Sequence, residues 1–156
     1  MLKFLIGLFL CVGSIGYSAA LNEISVAQEE KDVLIAQNTQ LTMQVEELAD
    51  QEFSLKEKFK IAAEVYNIDE KMLYAIAKLE TGNFTSSLFK NNNNPGGIKS
   101  GSGWAKYDTE FQGIMEMARL LKRNYIDKGL NTPEKIGPKY CPNSDSWAKK
   151  VRSLME

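Results

Sequence analysis

Glu80 closes an apolar run in the segment LYAIAKLETGNFTSSLFKNNNNPGGIK, which extends from Leu73 to Lys99. Leu73, Ile76, Ala77 and Glu80 stand at i, i+3, i+4 and i+7, the spacing of one helical face. That face is predicted to be buried and to carry the carboxylate with it. Apolar surroundings disfavour an ionised carboxylate and keep a proton on it near neutral pH. A protonated carboxyl is what a glycosidic oxygen requires of a general acid. Gly82 and Asn83 end the helix directly afterwards and open the acid to a cleft. An Asn91–Asn94 run and Pro95-Gly96-Gly97 follow. The amides of Asn92, Asn93 and Asn94, with the close-approaching backbone at Gly97, are candidate partners for sugar hydroxyls and acetamido groups. Trp104, Tyr107 and Tyr140 are candidates to stack on sugar faces. A lone carboxylate beside an amide-rich loop points to cleavage of a glycosidic bond.

Conventional glycosidases use a second carboxylate about 5–9 Å from the first. Asp108 is the candidate for that role, with Glu110 and Asp145 as further possibilities. A substrate acetamido group can also replace the second acid in substrate-assisted mechanisms.

Other chemistries are excluded by composition. The 156 residues include no histidine and two cysteines. Zinc amidases and metallopeptidases need histidine ligands, so no metal and no organic cofactor is expected. Cys141 lacks the activating base a thiol nucleophile needs and is expected to be structural. Cys11 lies in an apolar N-terminal run, so no disulfide framework is expected.

Several elements must position these residues. Leu55, Phe59, Ala62, Ala63 and Tyr66 have helical spacing, and Asp69 can cap a helix carrying Met72, Leu73 and Ile76. Thr109 to Gln112 forms a capping box for a helix running to about Lys128, stopped by Gly129. Thr132-Pro133 opens a short helix. Ser144 or Asp145 caps a last helix bearing Trp147, Val151 and Leu154. Phe84 to Asp108 is predicted to be a long loop with a small hairpin near Ile98–Tyr107. The fold class is mainly α.

The charge is unevenly spread. Residues 22–58 hold nine acids and three lysines, whereas 59–156 hold fifteen basic and eleven acidic residues. An acidic stalk thus joins a mildly basic domain, which favours a polyanionic target such as a bacterial cell wall. The basic residues are scattered, with no compact arm, and no nucleic-acid partner is expected.

The N-terminus reads as an address. Lys3 precedes an apolar run from Phe4, and Ser18-Ala19-Ala20 is a small-residue exit. Residues 1–20 are therefore a signal peptide or a weak membrane anchor, spanning 4–21 if uncleaved. Either carries the domain across the cytoplasmic membrane, to be secreted, periplasmic or anchored facing the wall. Leu34, Leu41, Leu48 and Leu55 recur every seven residues, with Ile24, Lys31, Asn38, Val45, Glu52 and Phe59 at the alternate seam positions. This predicts a coiled-coil stalk over 21–55 and a homodimer through 24–59. The expected catalytic domain is 56–156.

The segment LETGNFTSSLFKNNNNPGGIK resembles the motif of glycoside hydrolase family 73. In that motif a Glu-Ser/Thr-Gly ends a helix and an Asn-rich loop closes in Gly-Ile-Lys. Tyr107-Asp108, the Ile114–Tyr125 helix and the final Trp-Ala-Lys-Lys-Val helix continue the likeness across residues 56–156. The resemblance implies a lysozyme-like α fold and a glucosaminidase that cuts peptidoglycan glycan strands after N-acetylglucosamine. It implies Glu80 as the catalytic acid, and Tyr107 or Tyr140 as the counterpart of an active-site tyrosine. Lytic transglycosylases begin similarly but continue into Gly-Leu-Met-Gln, where this chain has Pro95-Gly96-Gly97-Ile98-Lys99. Lysozyme-type or transglycosylase-type cleavage, and a non-catalytic wall-binding module on the stalk, are the alternatives.

Overall fold

A computed structural model describes the backbone of residues 2–144 and 146–156 and the side chains of residues 22–144 and 146–156. The signal or anchor expected at 1–20, its span 4–21 and the candidate Asp145 lie outside the residues described with side chains. Among the described residues, no helix is long and apolar enough to cross a membrane. The chain divides into two units, 1–44 and 45–156.

The elements are α1 (Leu2–Glu52), α2 (Leu55–Tyr66), α3 (Glu70–Glu80), α4 (Ser87–Asn92), β1 (Lys99–Ser100), β2 (Gly103–Trp104), α5 (Glu110–Asn124), a 3₁₀ turn (Ile126–Lys128), α6 (Pro133–Tyr140) and α7 (Trp147–Leu154). The fold is mainly α with one small antiparallel hairpin, as expected. In the first unit every described side chain of α1, from Asn22 to Gln44, is exposed.

The second unit has the core. Phe59, Ala62 and Ala63 of α2 meet Met72, Leu73, Ile76 and Ala77 of α3. Ile114, Met117, Ala118 and Leu121 of α5, Ile136 of α6, and Trp147 and Val151 of α7 complete it. α3 packs against both α2 and α7, α5 against α2, and α6 against α7. Burial of these side chains contributes about 25 cal/mol per Å² of apolar surface removed from water. Phe59 is fully buried here and a break at Phe53–Ser54 separates α1 from α2. The seam predicted over 24–59 therefore cannot include Leu55 or Phe59, because both belong to α2 and its packing.

The helix starts follow local chemistry. Ser54 and Glu57 form a reciprocal capping box on α2. Asp69 accepts from the Met72 N–H at 2.7 Å, and Thr132 caps α6 with Pro133 at its first turn. The box expected at Thr109 is only half made. Thr109 accepts from Gln112 N–H, but the Gln112 side chain accepts from Asp108 N–H instead of from Thr109. α5 stops at Asn124, and a 3₁₀ turn completes the path to Gly129, whose φ of 78° needs glycine. α7 starts after Ser146, which makes no side-chain cap.

Two contacts tie the loops to this frame. Asp50, near the end of α1, accepts from Lys58 Nζ at 2.8 Å and from the Phe111 N–H in the first turn of α5 at 3.0 Å. Burial works against the Lys58 charge, but hydrogen bonds to Asp50 and Glu110 outweigh it and hold its pKa above the usual lysine value. Gly113 of α5 lies against the backbone of the Asn-rich loop. A Cβ there would sit 1.7 Å from the Asn93 carbonyl oxygen. Gly113→Ala is expected to lower unfolding free energy by about 3 kcal/mol, measured as a lower urea midpoint at unchanged slope.

Candidate active site

Glu80 is the last residue of α3. Its direction is as the spacing predicted, but its surroundings are not. Leu73, Ile76 and Ala77 are fully buried, whereas Glu80 is exposed. Helical spacing sets where a side chain points and says nothing about how far the neighbouring layer extends. At Glu80 the helix has outrun the layer covering its earlier turns, so the expected apolar burial of the carboxylate is absent. One buried side chain does reach it. Trp147 of α7, 4% exposed, donates its indole Nε1–H to Glu80 Oε1 at 3.1 Å. A buried indole needs a partner for its N–H, and the pairing fixes one carboxylate oxygen while leaving the exposed group open to solvent.

The turn after Glu80 is held from inside. Thr81 is buried, donates to the Ala77 carbonyl at 2.7 Å and accepts from Phe84 N–H at 2.8 Å. Gly82, Asn83 and Phe84 then take φ of 57°, 62° and 61°. Left-handed backbone is costly for a bulky residue. Phe84 is kept there by its ring contacts with Phe59, Tyr74 and Phe89 at 5.2–5.8 Å between centroids. Phe89 belongs to α4, a one-and-a-half-turn helix inside the stretch expected to be loop.

Tyr140 is the tyrosine brought to the acid. It ends α6 and stacks on Trp147, with centroids 4.9 Å apart and planes 27° apart. Burial, and then the neighbouring Glu80 carboxylate, push its phenol above the usual tyrosine range. It therefore stays a neutral hydroxyl, a donor as well as an acceptor, at neutral pH. Beside it lies a pocket of about 140 Å³, lined among others by Gly96, Ile98, Met117, Tyr125 and Tyr140. The Pro-Gly-Gly-Ile loop and Tyr140 thus share one wall. Tyr107 is placed elsewhere, against Gly113 and within the field of Glu116 and Arg119 on α5.

The asparagines divide by role. Asn94 is 1% exposed and its amide is fully engaged. Nδ2 donates to the carbonyls of Ile98 at 2.8 Å and Ala105 at 2.9 Å, and Oδ1 accepts from Ile98 N–H at 2.8 Å. It splints the base of the hairpin and is not available to a sugar, which corrects its expected role. Asn93, with φ of 50°, donates to the Tyr107 carbonyl at 3.0 Å. Asn92 is half-buried at the end of α4 and pairs to Tyr107 N–H through its backbone carbonyl. Gly97 has φ of 58° and open space where a Cβ would be. Trp104 is 52% exposed on β2, opposite Lys99 of β1, whose Nζ is 5.4 Å from the ring centroid.

Asp108 is exposed at the start of α5, and its electrostatic neighbour is Glu46, whose pKa is raised by burial and then by Asp108. The whole segment from Thr81 to Tyr107 contains no aspartate or glutamate. Among the described residues no cluster of three His, Cys, Asp or Glu side chains could hold a metal ion. Trp147 is the member of the site that spacing alone did not single out. Its position on an apolar helical face marked it as core, and only the need of its N–H for an acceptor hinted at more.

A helical domain with one helix-end glutamate, an aromatic pair behind it and a small hairpin is the arrangement of a lysozyme-like glycosidase. The glucosaminidase family model, described as mannosyl-glycoprotein endo-beta-N-acetylglucosaminidase, matches residues 56–156. The chain belongs to this family, glycoside hydrolase family 73, and residues 56–156 are a glycosidase-family domain of the kind that acts on cell-wall glycan. No curated protein matches the chain.

Proposed function

We propose that the protein is an exported peptidoglycan hydrolase of the endo-β-N-acetylglucosaminidase type, with Glu80 as its general acid. The observation that carries this is the exposed Glu80 carboxylate at the end of α3 in the family-matched domain, with one oxygen held by the buried Trp147. Oε2 delivers the proton to the leaving glycosidic oxygen. Exclusion of water from the acid has to come from the bound glycan, because the free carboxylate is exposed. Tyr140 offers a neutral hydroxyl beside the acid. Gly96, Ile98 and the exposed Trp104 supply backbone and stacking contacts along the sugar chain.

The attack on the anomeric carbon is assigned to the substrate's own acetamido group or to a water positioned by it. No carboxylate lies between Thr81 and Tyr107 to act as a nucleophile or base. The same absence is compatible with an internal attack that leaves an anhydro-sugar, so product chemistry decides the bond. Mass spectrometry of muropeptides after digestion is expected to find reducing N-acetylglucosamine ends. Reducing or anhydro N-acetylmuramic acid ends would move the protein to lysozyme-type or transglycosylase-type cleavage. No clearing of wall material at all would leave a wall-binding module.

Trp147→Phe keeps the stack on Tyr140 and removes the donor to Glu80. A hydrogen bond to a charged group is worth about 1.5–3 kcal/mol, so kcat on purified wall is expected to fall about tenfold. KM should change little, because the indole N–H does not touch the glycan.

A further inference from the structure

The heptad on α1 is absorbed by none of the chemistry above. We propose that this face docks a second copy of the chain, parallel and in register, through a seam that ends at Leu48. The seam positions Ile24, Leu34, Leu41 and Leu48 are 56–65% exposed. Leu34, Leu41 and Leu48 recur every seven residues, with Ile24 on the alternate seam position, so large apolar side chains are left in water along one stripe.

The occupant is argued from charge and polarity along the seam. In a parallel, in-register pair, Asn38 meets Asn38 of the other copy, and the two amides can hydrogen-bond. In an antiparallel pair centred on the seam, Asn38 falls opposite Leu34 and Lys31 opposite Leu41, so each polar group is buried against leucine. Lys31, also a seam position, is flanked in the parallel pair by Glu30 of the other copy, which offsets the Lys31–Lys31 repulsion. The flanking positions bring no like charges together: Glu23 faces Gln28, Glu30 faces Ile35, and Gln37 faces Thr42. The remaining acids of this stretch, Glu29, Asp32, Glu46 and Glu47, fall outside the seam and its flanks.

The end of the seam follows from the domain. Ala49 is buried, and Asp50 is bound to Lys58 and to the Phe111 N–H. Beyond Leu48 the helix already serves its own unit, and Phe59 is committed to the core.

The test uses the full chain in detergent or membranes, with Cys11 and Cys141 replaced by serine. Leu34→Cys and Leu41→Cys place thiols on the seam, and Ala36→Cys and Met43→Cys place them on the opposite face. Mild oxidation is expected to give several-fold more covalent dimer from the seam pair than from the opposite pair. Lys31→Glu should reduce the Leu34→Cys dimer, and adding Glu30→Lys should restore it. Equal yields from all four thiols, or no dimer from the seam thiols, overturns the proposal. The readout is independent of glycan cleavage, so it stands or falls separately from the catalytic assignment.

Discussion

Glu80→Gln is expected to lower wall-lytic activity about 1,000-fold with the fold unchanged. The glutamine is isosteric and its carbonyl oxygen can still accept from Trp147 Nε1, so the packing of α3 on α7 is kept. What it cannot do is give a proton to a leaving oxygen. Loss of turbidity of a wall suspension, or clearing in a gel containing wall material, measures the effect. Thermal unfolding of the variant should stay within about 0.5 kcal/mol of the parent, as for exposed substitutions. Asp108→Asn is the companion variant. Asp108 lies within the field of Glu46 and makes its hydrogen bond through its backbone N–H to Gln112, so the activity of this variant is expected to remain within a few-fold of the parent. Equal lysis by parent and Glu80→Gln would remove Glu80 from the reaction.

Asn94→Ala should have the largest effect on stability among the loop residues. The change leaves the Ile98 N–H and the Ala105 carbonyl without their side-chain partner. Each buried orphan costs about 1–3 kcal/mol, so a total loss of about 3 kcal/mol is expected in urea unfolding. Asn94→Asp should be no better, since it keeps the acceptor for Ile98 N–H but sets a carboxylate against two carbonyl oxygens. Both variants should lose activity in step with the loosening of the Lys99–Trp104 hairpin. If Asn94→Ala instead kept full stability and lost only glycan binding, Asn94 would be a sugar ligand after all.

The two cases show where legibility in the sequence ended. Glu80 stands out in the sequence because a carboxylate continuing an apolar stripe breaks the pattern. Its exposure is not legible there, because burial depends on which partner helix covers that turn. Asn92, Asn93 and Asn94 are indistinguishable as neighbours in a run. Tertiary folding makes Asn94 a splint with three hydrogen bonds and leaves Asn92 half-buried with its backbone in use. Tyr107 and Tyr140 were equal candidates, and only the packing of α6 on α7 sets Tyr140 against Trp147.

Local rules determined the rest. The helix-period apolar spacings, the caps at Asp69 and Thr132 and the stop at Gly129 need no distant partner, since each acts within one or two turns. They place the helices of a mainly α domain, and the missing histidines argue against a histidine-ligated zinc site. Four contacts needed the tertiary structure: Trp147 on Glu80, Gly113 under the Asn93 carbonyl, Asp50 on Lys58 and Phe111, and Phe84 pinned at positive φ by a cluster of rings. The first and third join residues at least eight apart through a side chain whose partner is chosen by packing; the second is a backbone approach that only a glycine admits, and the last is a backbone strain that only packing can hold. The sequence by itself singled out Glu80 as a carboxylate at the end of an apolar helical face; the fold decided which aromatic holds it.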